Sequence, residues 1–247
     1  MSDDFNENVE NVEETTEVVE TVEAEAPQPE LEVKIGDWLK AGWELYTKDW
    51  LKYSLSVLIV FVLGAITCGI LFAPMLVGMY GCCLKKLKGE DFEYGELFDG
   101  VKKQFLPSFL LGLALMVVSI VLNLIPCVGW LLSFAFQILA MPVLVYSLFK
   151  LSYEAETYKV EKLKDLVMGI YEKLKPQYFM FVLWLFLAGI IGAAGGIVCG
   201  IGALFTYPII VLALAVSYSD VFGTALSAQV EAEPVAEPEP EVEPESE

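Results

Sequence analysis

The stretch QFLPSFLLGLALMVVSIVLNLIPCVGWLLSFAFQILAMPVLVYSLF, residues 104–149, contains no Asp, Glu, Lys or Arg. Residues 53–84 and 176–219 are also free of these four residue types. A transmembrane helix needs ~20 consecutive apolar residues. The two longer stretches, of 46 and 44 residues, are therefore each long enough for two spans and a tight turn. The sequence predicts an all-α integral membrane protein built from helical hairpins.

The first charge-free stretch is shorter than the other two and leaves two readings open. With 32 residues it holds two spans only if its arms borrow flanking residues. The lysines nearby could then extend their ammonium groups toward water: Lys52, Lys85, Lys86 and Lys88. We expect about six transmembrane helices as three hairpins, with a re-entrant first hairpin as the alternative.

Charge is distributed unevenly along the chain. The net charge is −19, but residues 1–33 hold 12 acidic and no basic residues, and residues 221–247 hold 8 acidic and no basic residues. Residues 34–220 hold the remaining 14 acidic residues and all 15 lysines, so the net charge of this middle part is about +1. We expect disordered acidic tails at residues 1–33 and 224–247, flanking a membrane domain at 34–223.

Composition excludes several classes of function. The chain has no His, and every one of its 15 basic residues is a lysine, so mechanisms that need an imidazole or a guanidinium are ruled out. Nucleic acid is a poor partner because an acidic chain repels phosphates. The N-terminal sequence MSDDFNENVE is acidic where a secretory signal is basic. We expect no catalytic, cofactor or metal site, and no enzyme activity.

A threefold internal repeat organises the membrane domain, with units at about 34–90, 91–158 and 159–223. Each unit starts with an amphipathic segment that contains Leu-x-x-Gly, and proline recurs at intervals of 68 and 66 residues. We interpret each segment as an interfacial helix lying flat before its hairpin, with ordinary connectors as the alternative. The repeated residues are Leu39 and Gly42, Leu97 and Gly100, Leu166 and Gly169, and Pro74, Pro142 and Pro208.

Prolines and glycines also suggest local structure. Pro74 and Pro208 fit the first turn of the second helix of a hairpin, and Pro142 fits a kink deeper inside a helix. In the run GIIGAAGGIVCGIG, residues 189–202, the four-residue spacing of Gly192 and Gly196 predicts close helix packing.

The lysines predict the orientation in the membrane. All 15 precede, separate or flank the hairpins on one side, and the turns within the hairpins have none. Positive charge is retained in the cytoplasm. We therefore expect a multi-pass protein of the cell membrane with both termini cytoplasmic.

Three cysteines fall in the turns within the hairpins: Cys68, Cys127 and Cys199. Together they could bind a soft metal or form a disulfide, but small apolar residues also suit tight turns. Cys82 and Cys83, near a helix end, are interpreted as packing residues.

Few polar side chains occur within the predicted spans. Asn123 and Gln137 are the most polar, and we interpret them as partners in hydrogen bonds between helices rather than as a substrate pathway. The absence of an ionisable group at membrane depth disfavours ion-coupled transport. Asp220, which closes the last span, is interpreted as an anchor at the membrane surface.

Two motifs resemble a known group of proteins. LKGEDFEYGELFDGVKKQF, residues 87–105, and YPIIVLALAVSYSDVFG, residues 207–223, are similar to a family of uncharacterised bacterial and archaeal multi-pass membrane proteins. That family is itself similar to the membrane domain attached to some glycerophosphodiester phosphodiesterases. The resemblance covers about residues 34–223 and implies a helical membrane module, without the phosphodiesterase domain.

These observations favour a non-catalytic membrane scaffold, or a module that organises lipids or partners. A small passive transporter or channel is the alternative. The expected partners are membrane lipids and, through the acidic tails, a basic cytoplasmic protein. Self-association into a homo-oligomer stays open.

Overall fold

The structure, a computed structural model, describes residues 32–154, 158–197 and 202–223. Every regular element in these ranges is a helix, which confirms the predicted all-α class. The predicted tails lie almost entirely outside the described residues. The α-helices are α1 (Ile35–Lys48), α2 (Trp50–Ile66), α3 (Phe72–Leu87), α4 (Asp99–Lys103), α5 (Phe105–Asn123), α6 (Gly129–Tyr153), α7 (Leu163–Leu174), α8 (Tyr178–Ile197) and α9 (Ala203–Phe222).

Helix length and composition support four or five membrane-spanning helices in the described chain and do not confirm the predicted six. Four stretches of the described chain are long and apolar enough: Phe105–Asn123, Gly129–Tyr153, Val160–Gly196 and Ala203–Phe222. A fifth arises if α1 and α2, which meet at 99°, count as one broken span. The predicted spans that are not found belong to the first hairpin, because its helices α2 and α3 have only 17 and 16 residues.

Three helices form the centre of the fold. α3, α6 and α9 pack against one another, and the remaining helices surround them. The helices α4 and α5 pack on α3, α7 and α8 pack on α6, and α1 and α2 pack on α9. The first two helices of each predicted unit therefore contact the last helix of another unit.

α1 lies lengthwise along α9 and not across the end of the bundle. The Trp38 indole Nε1 donates a hydrogen bond to Asp220 Oδ2 at 2.9 Å, at the C-terminal end of α9. Gly42 faces Ala213, and the Trp50 ring stacks on Phe205 near the start of α9. The two helices are therefore antiparallel. Asp220, predicted as a surface anchor, instead joins the last helix to the first.

Glycine allows two helices to approach each other closely at two positions, Gly42 and Gly100. A side chain at Gly42 would place its Cβ 2.7 Å from the Ala213 backbone nitrogen, and one at Gly100 would clash with the Pro74 carbonyl. Gly169 differs, because it is exposed and a Cβ added there would have no atom within 4 Å. The three repeated glycines are thus not equivalent.

The helix that carries Gly169, α7, packs on α6 through larger side chains. Its buried residues are Leu166, Ile170 and Leu174, and Gly169 is not among them.

Two further local predictions need correction. The second amphipathic helix is broken into a 3₁₀ helix, Tyr94–Phe98, and the five-residue α4, in a segment weakened by two glycines. Pro74 is the third residue of α3, as predicted, but Pro208 is the sixth residue of α9 and lies beyond its first turn. Pro142 lies inside α6, as predicted.

Candidate functional site: an apolar cavity among the hairpins

A cavity of about 770 Å³ lies among α3, α5, α6, α8 and α9. Its volume falls within the ~300–1,000 Å³ range of small-molecule sites in proteins. The described residues that line it include no Asp, Glu, Lys, Asn or Gln. It therefore suits an apolar molecule and cannot compensate the charge of an ionic one.

The three central helices contribute to the wall in the same way. In each helix, three lining residues stand at the same distances from the proline. One comes directly before the proline, one comes two residues after it and one comes six residues after it. Positions three and four apart lie on one face of an α-helix, so each helix turns one face to the cavity. These residues are Ala73, Leu76 and Tyr80; Met141, Leu144 and Leu148; and Tyr207, Ile210 and Leu214.

Glycines of α8 leave room for the cavity. Gly189, Gly192 and Gly196 line it, and none has an atom within 4 Å of an added Cβ. The Gly192 carbonyl accepts a hydrogen bond from Thr206 Oγ1 of α9 at 3.2 Å, but neither Gly192 nor Gly196 is the glycine whose missing side chain lets the two helices approach. That role belongs to Gly195, where a side chain would clash with Thr206 of α9.

An aromatic stack adjoins the cavity through Tyr80, and is formed by Tyr80 of α3, Phe149 of α6 and Tyr218 of α9. The Tyr80 and Phe149 ring centroids are 4.0 Å apart with an interplanar angle of 3°, and Phe149 and Tyr218 are 5.4 Å apart. All three side chains are at most 3% exposed. The lining also includes the turn residues Cys68 and Gly69.

Sequence reasoning missed the tyrosines of the cavity and the aromatic stack. The available signal was the constant distance of the lining positions from Pro74, Pro142 and Pro208. That distance marks a shared face, but it does not say whether the face meets lipid, protein or an empty volume.

An ionic cluster lies at the end of the fold that carries the lysines. Lys86 Nζ lies 2.6 Å from Asp49 Oδ2 and 2.8 Å from Asp91 Oδ1, and Lys52 lies 4.0 Å from Asp91. Hydrogen bonding and attraction from Lys86, with a smaller contribution from Lys52, lower the pKa of Asp91. The cluster joins the α1–α2 bend to the end of α3.

The polar residues singled out in the spans lie outside the cavity. Asn123 Nδ2 donates to the Ser119 carbonyl within α5, and Gln137 Nε2 donates to Ser119 Oγ at 3.4 Å from α6 to α5. The predicted interhelical bond is therefore present for Gln137, while Asn123 bonds within its own helix. Both side chains are exposed on the outside of the bundle.

The cysteines divide into two groups. Cys82 and Cys83 are buried, in agreement with their predicted packing role. Cys68 and Cys127 are exposed free thiols in the left-handed region, at φ 51° and 69°. Cys199 lies outside the described residues, so the three-cysteine cluster stays a prediction. Within the described ranges, no three Cys, Asp or Glu side chains are grouped to hold a metal ion.

Fold and cavity define the chain as an all-helical membrane protein with several spans. Comparison with family models, curated proteins and solved structures gives no match in any of the three. The resemblance to the uncharacterised membrane protein family therefore stays a prediction from the two motifs.

Proposed function

We propose that this chain is a non-catalytic lipid-organising module that holds one apolar chain from the bilayer in the central cavity. The observation that carries the proposal is the cavity of about 770 Å³, lined almost entirely by apolar side chains. A lipid chain that enters from the bilayer leaves no water behind, so its retention depends on van der Waals packing against this wall.

The same geometry favours the threefold repeat. Three central helices that present the same positions to the cavity, each covered by two helices of another unit, are the expected result of three copies of one module. In this proposal the repeat exists to surround the cavity, and the Leu-x-x-Gly segments hold the units together.

Filling the cavity tests the function. We expect Gly189→Phe to displace the bound lipid without unfolding the protein, because the added side chain enters open space. Native mass spectrometry of protein extracted in mild detergent measures the retained lipid. Gly169→Phe is the matched control, since Gly169 is an equally open helical glycine away from the cavity.

Equal lipid retention by both variants and the unaltered protein would contradict the proposal. The alternative, a passive transporter, is less well supported because the most polar side chains of the spans, Asn123 and Gln137, lie outside the cavity. Saturable solute flux in proteoliposomes, abolished by Gly189→Phe, would favour that alternative.

We propose that the chain crosses the cell membrane six times and that both termini lie in the cytoplasm. Reporter fusions after residues 128 and 203 should locate outside, and fusions after residues 92, 160 and 228 inside. A fusion after residue 71 decides the first hairpin, whose helices are the shortest of the three pairs. An inside location there would indicate a re-entrant hairpin.

The two acidic tails favour a basic cytoplasmic protein as a second partner, by charge alone. Membrane lipids are the first partner, since the hairpin helices expose large apolar side chains such as Leu106, Trp130 and Phe179. Nucleic acid is disfavoured for the reason given above.

A further inference from the structure

We infer that the occupant of the cavity is a neutral lipid with carbonyl oxygens, which accept hydrogen bonds from the hydroxyl groups of Tyr80 and Tyr207. This inference rests on the proposed function and names the class of ligand. It starts from the two tyrosines, which are the strongest hydrogen-bond donors among the lining side chains.

Tyr80 is a buried polar residue without a partner. Its side chain is only 3% exposed, and its hydroxyl forms no hydrogen bond with any described residue. The central-helix residue Tyr146 differs, because it pairs with Ser217 at 2.8 Å within the core. Because Tyr80 lines the cavity and its hydroxyl is unpaired, that hydroxyl is available to donate a hydrogen bond to a ligand that supplies an acceptor.

Tyr207 provides a second hydroxyl on a different wall of the cavity. It precedes Pro208 near the start of α9, whereas Tyr80 lies halfway along α3 against the aromatic stack. The Tyr207 ring is held edge-on by Phe61 at 5.3 Å, and its hydroxyl also has no partner among the described residues. Two donors on two helices suit a molecule with two acceptors.

Charge selects against phospholipid head groups inside this volume. No charged side chain lines the described wall, and Lys86 of the ionic cluster is already paired with Asp49 and Asp91. Burying a phosphate without a partner would cost far more than two tyrosine hydrogen bonds return. Diacylglycerols and isoprenoid quinones share the required chemistry, with long apolar chains and two or more carbonyl oxygens.

The experiment uses the full-length protein in nanodiscs of uncharged phospholipid, crosslinked to a photoactivatable dioleoylglycerol. Unlabelled dioleoylglycerol, an isoprenoid quinone and phosphatidylglycerol compete for the site. We expect unlabelled dioleoylglycerol or the isoprenoid quinone to compete at least tenfold better than phosphatidylglycerol. The better competitor of these two identifies the class of lipid that supplies the carbonyl group.

Tyr80→Phe and Tyr207→Phe should each weaken binding about fivefold, since a hydrogen bond is worth ~1 kcal/mol and the ring is retained. Tyr94→Phe, an exposed position outside the cavity, is the control. Unchanged binding in the double variant, or equal competition by phosphatidylglycerol, would overturn the inference. If Gly189→Phe still abolishes crosslinking in that case, the proposed function stands and only the ligand class is wrong.

Discussion

Leucine in place of Gly42 or Gly100 should destabilise the protein by at least ~3 kcal/mol, whereas Gly169→Leu should change stability little. Overpacking costs ~1–3 kcal/mol where side chains can yield. At Gly42 and Gly100 the new side chain would meet the backbone of Ala213 and of Pro74 and Gly78, which cannot move without separating two helices. At Gly169 it meets open space.

Thermal unfolding in detergent, followed by intrinsic fluorescence, measures the three variants side by side. Gly169→Leu serves as the internal control, because it makes the same change in a helix of the same predicted origin. Losses of similar size at all three positions would show that α7 docks like α1 and α4, and would restore the equivalence that the repeat predicts.

Removing the central ring of the aromatic stack should have the second large effect. Phe149 is fully buried between Tyr80 and Tyr218, and replacing a buried phenylalanine with alanine costs ~3–5 kcal/mol. Phe149→Ala also removes the ring on which Tyr80 stacks. We therefore expect a lower unfolding temperature, measured in detergent by intrinsic fluorescence.

Phe179→Ala is the matched control, since Phe179 is 77% exposed on the outside of α8. The Phe179→Ala variant loses the same aromatic ring without opening a cavity in the core. A Phe149→Ala variant as stable as Phe179→Ala would mean that the stack does not hold the three central helices together.

The helical class and the positions of the long spans could be predicted because they depend on local properties. The absence of charge over residues 104–149 is enough to place α5 and α6. The first hairpin was harder, because its charge-free stretch has only 32 residues between Lys52 and Lys85. The partners of Lys52 and Lys86, Asp49 and Asp91, become visible only in the fold.

The cavity could not be predicted for a different reason. Gly192 and Gly196 have the spacing of a helix contact, and the same spacing results when a helix borders an empty volume. Gly42 and Gly169 also look alike in sequence, but Gly42 lies against the Ala213 backbone and Gly169 has open space beside it. Such differences depend on residues that are distant along the chain.

The contact of α1 with α9 sets the order in which the protein can mature on the ribosome. Trp38, Gly42 and Tyr46 form the buried face of α1, and their partner helix ends at Phe222. At ~5–20 residues per second, the ribosome needs roughly 9–35 s to synthesise the intervening chain. During that interval Tyr46 already has its partner Ser54 in α2, and Trp38 gains Phe181 and Trp184 once α8 is made. Gly42, whose partner is Ala213, has to wait for α9, so the contact between α1 and α9 is among the last to form.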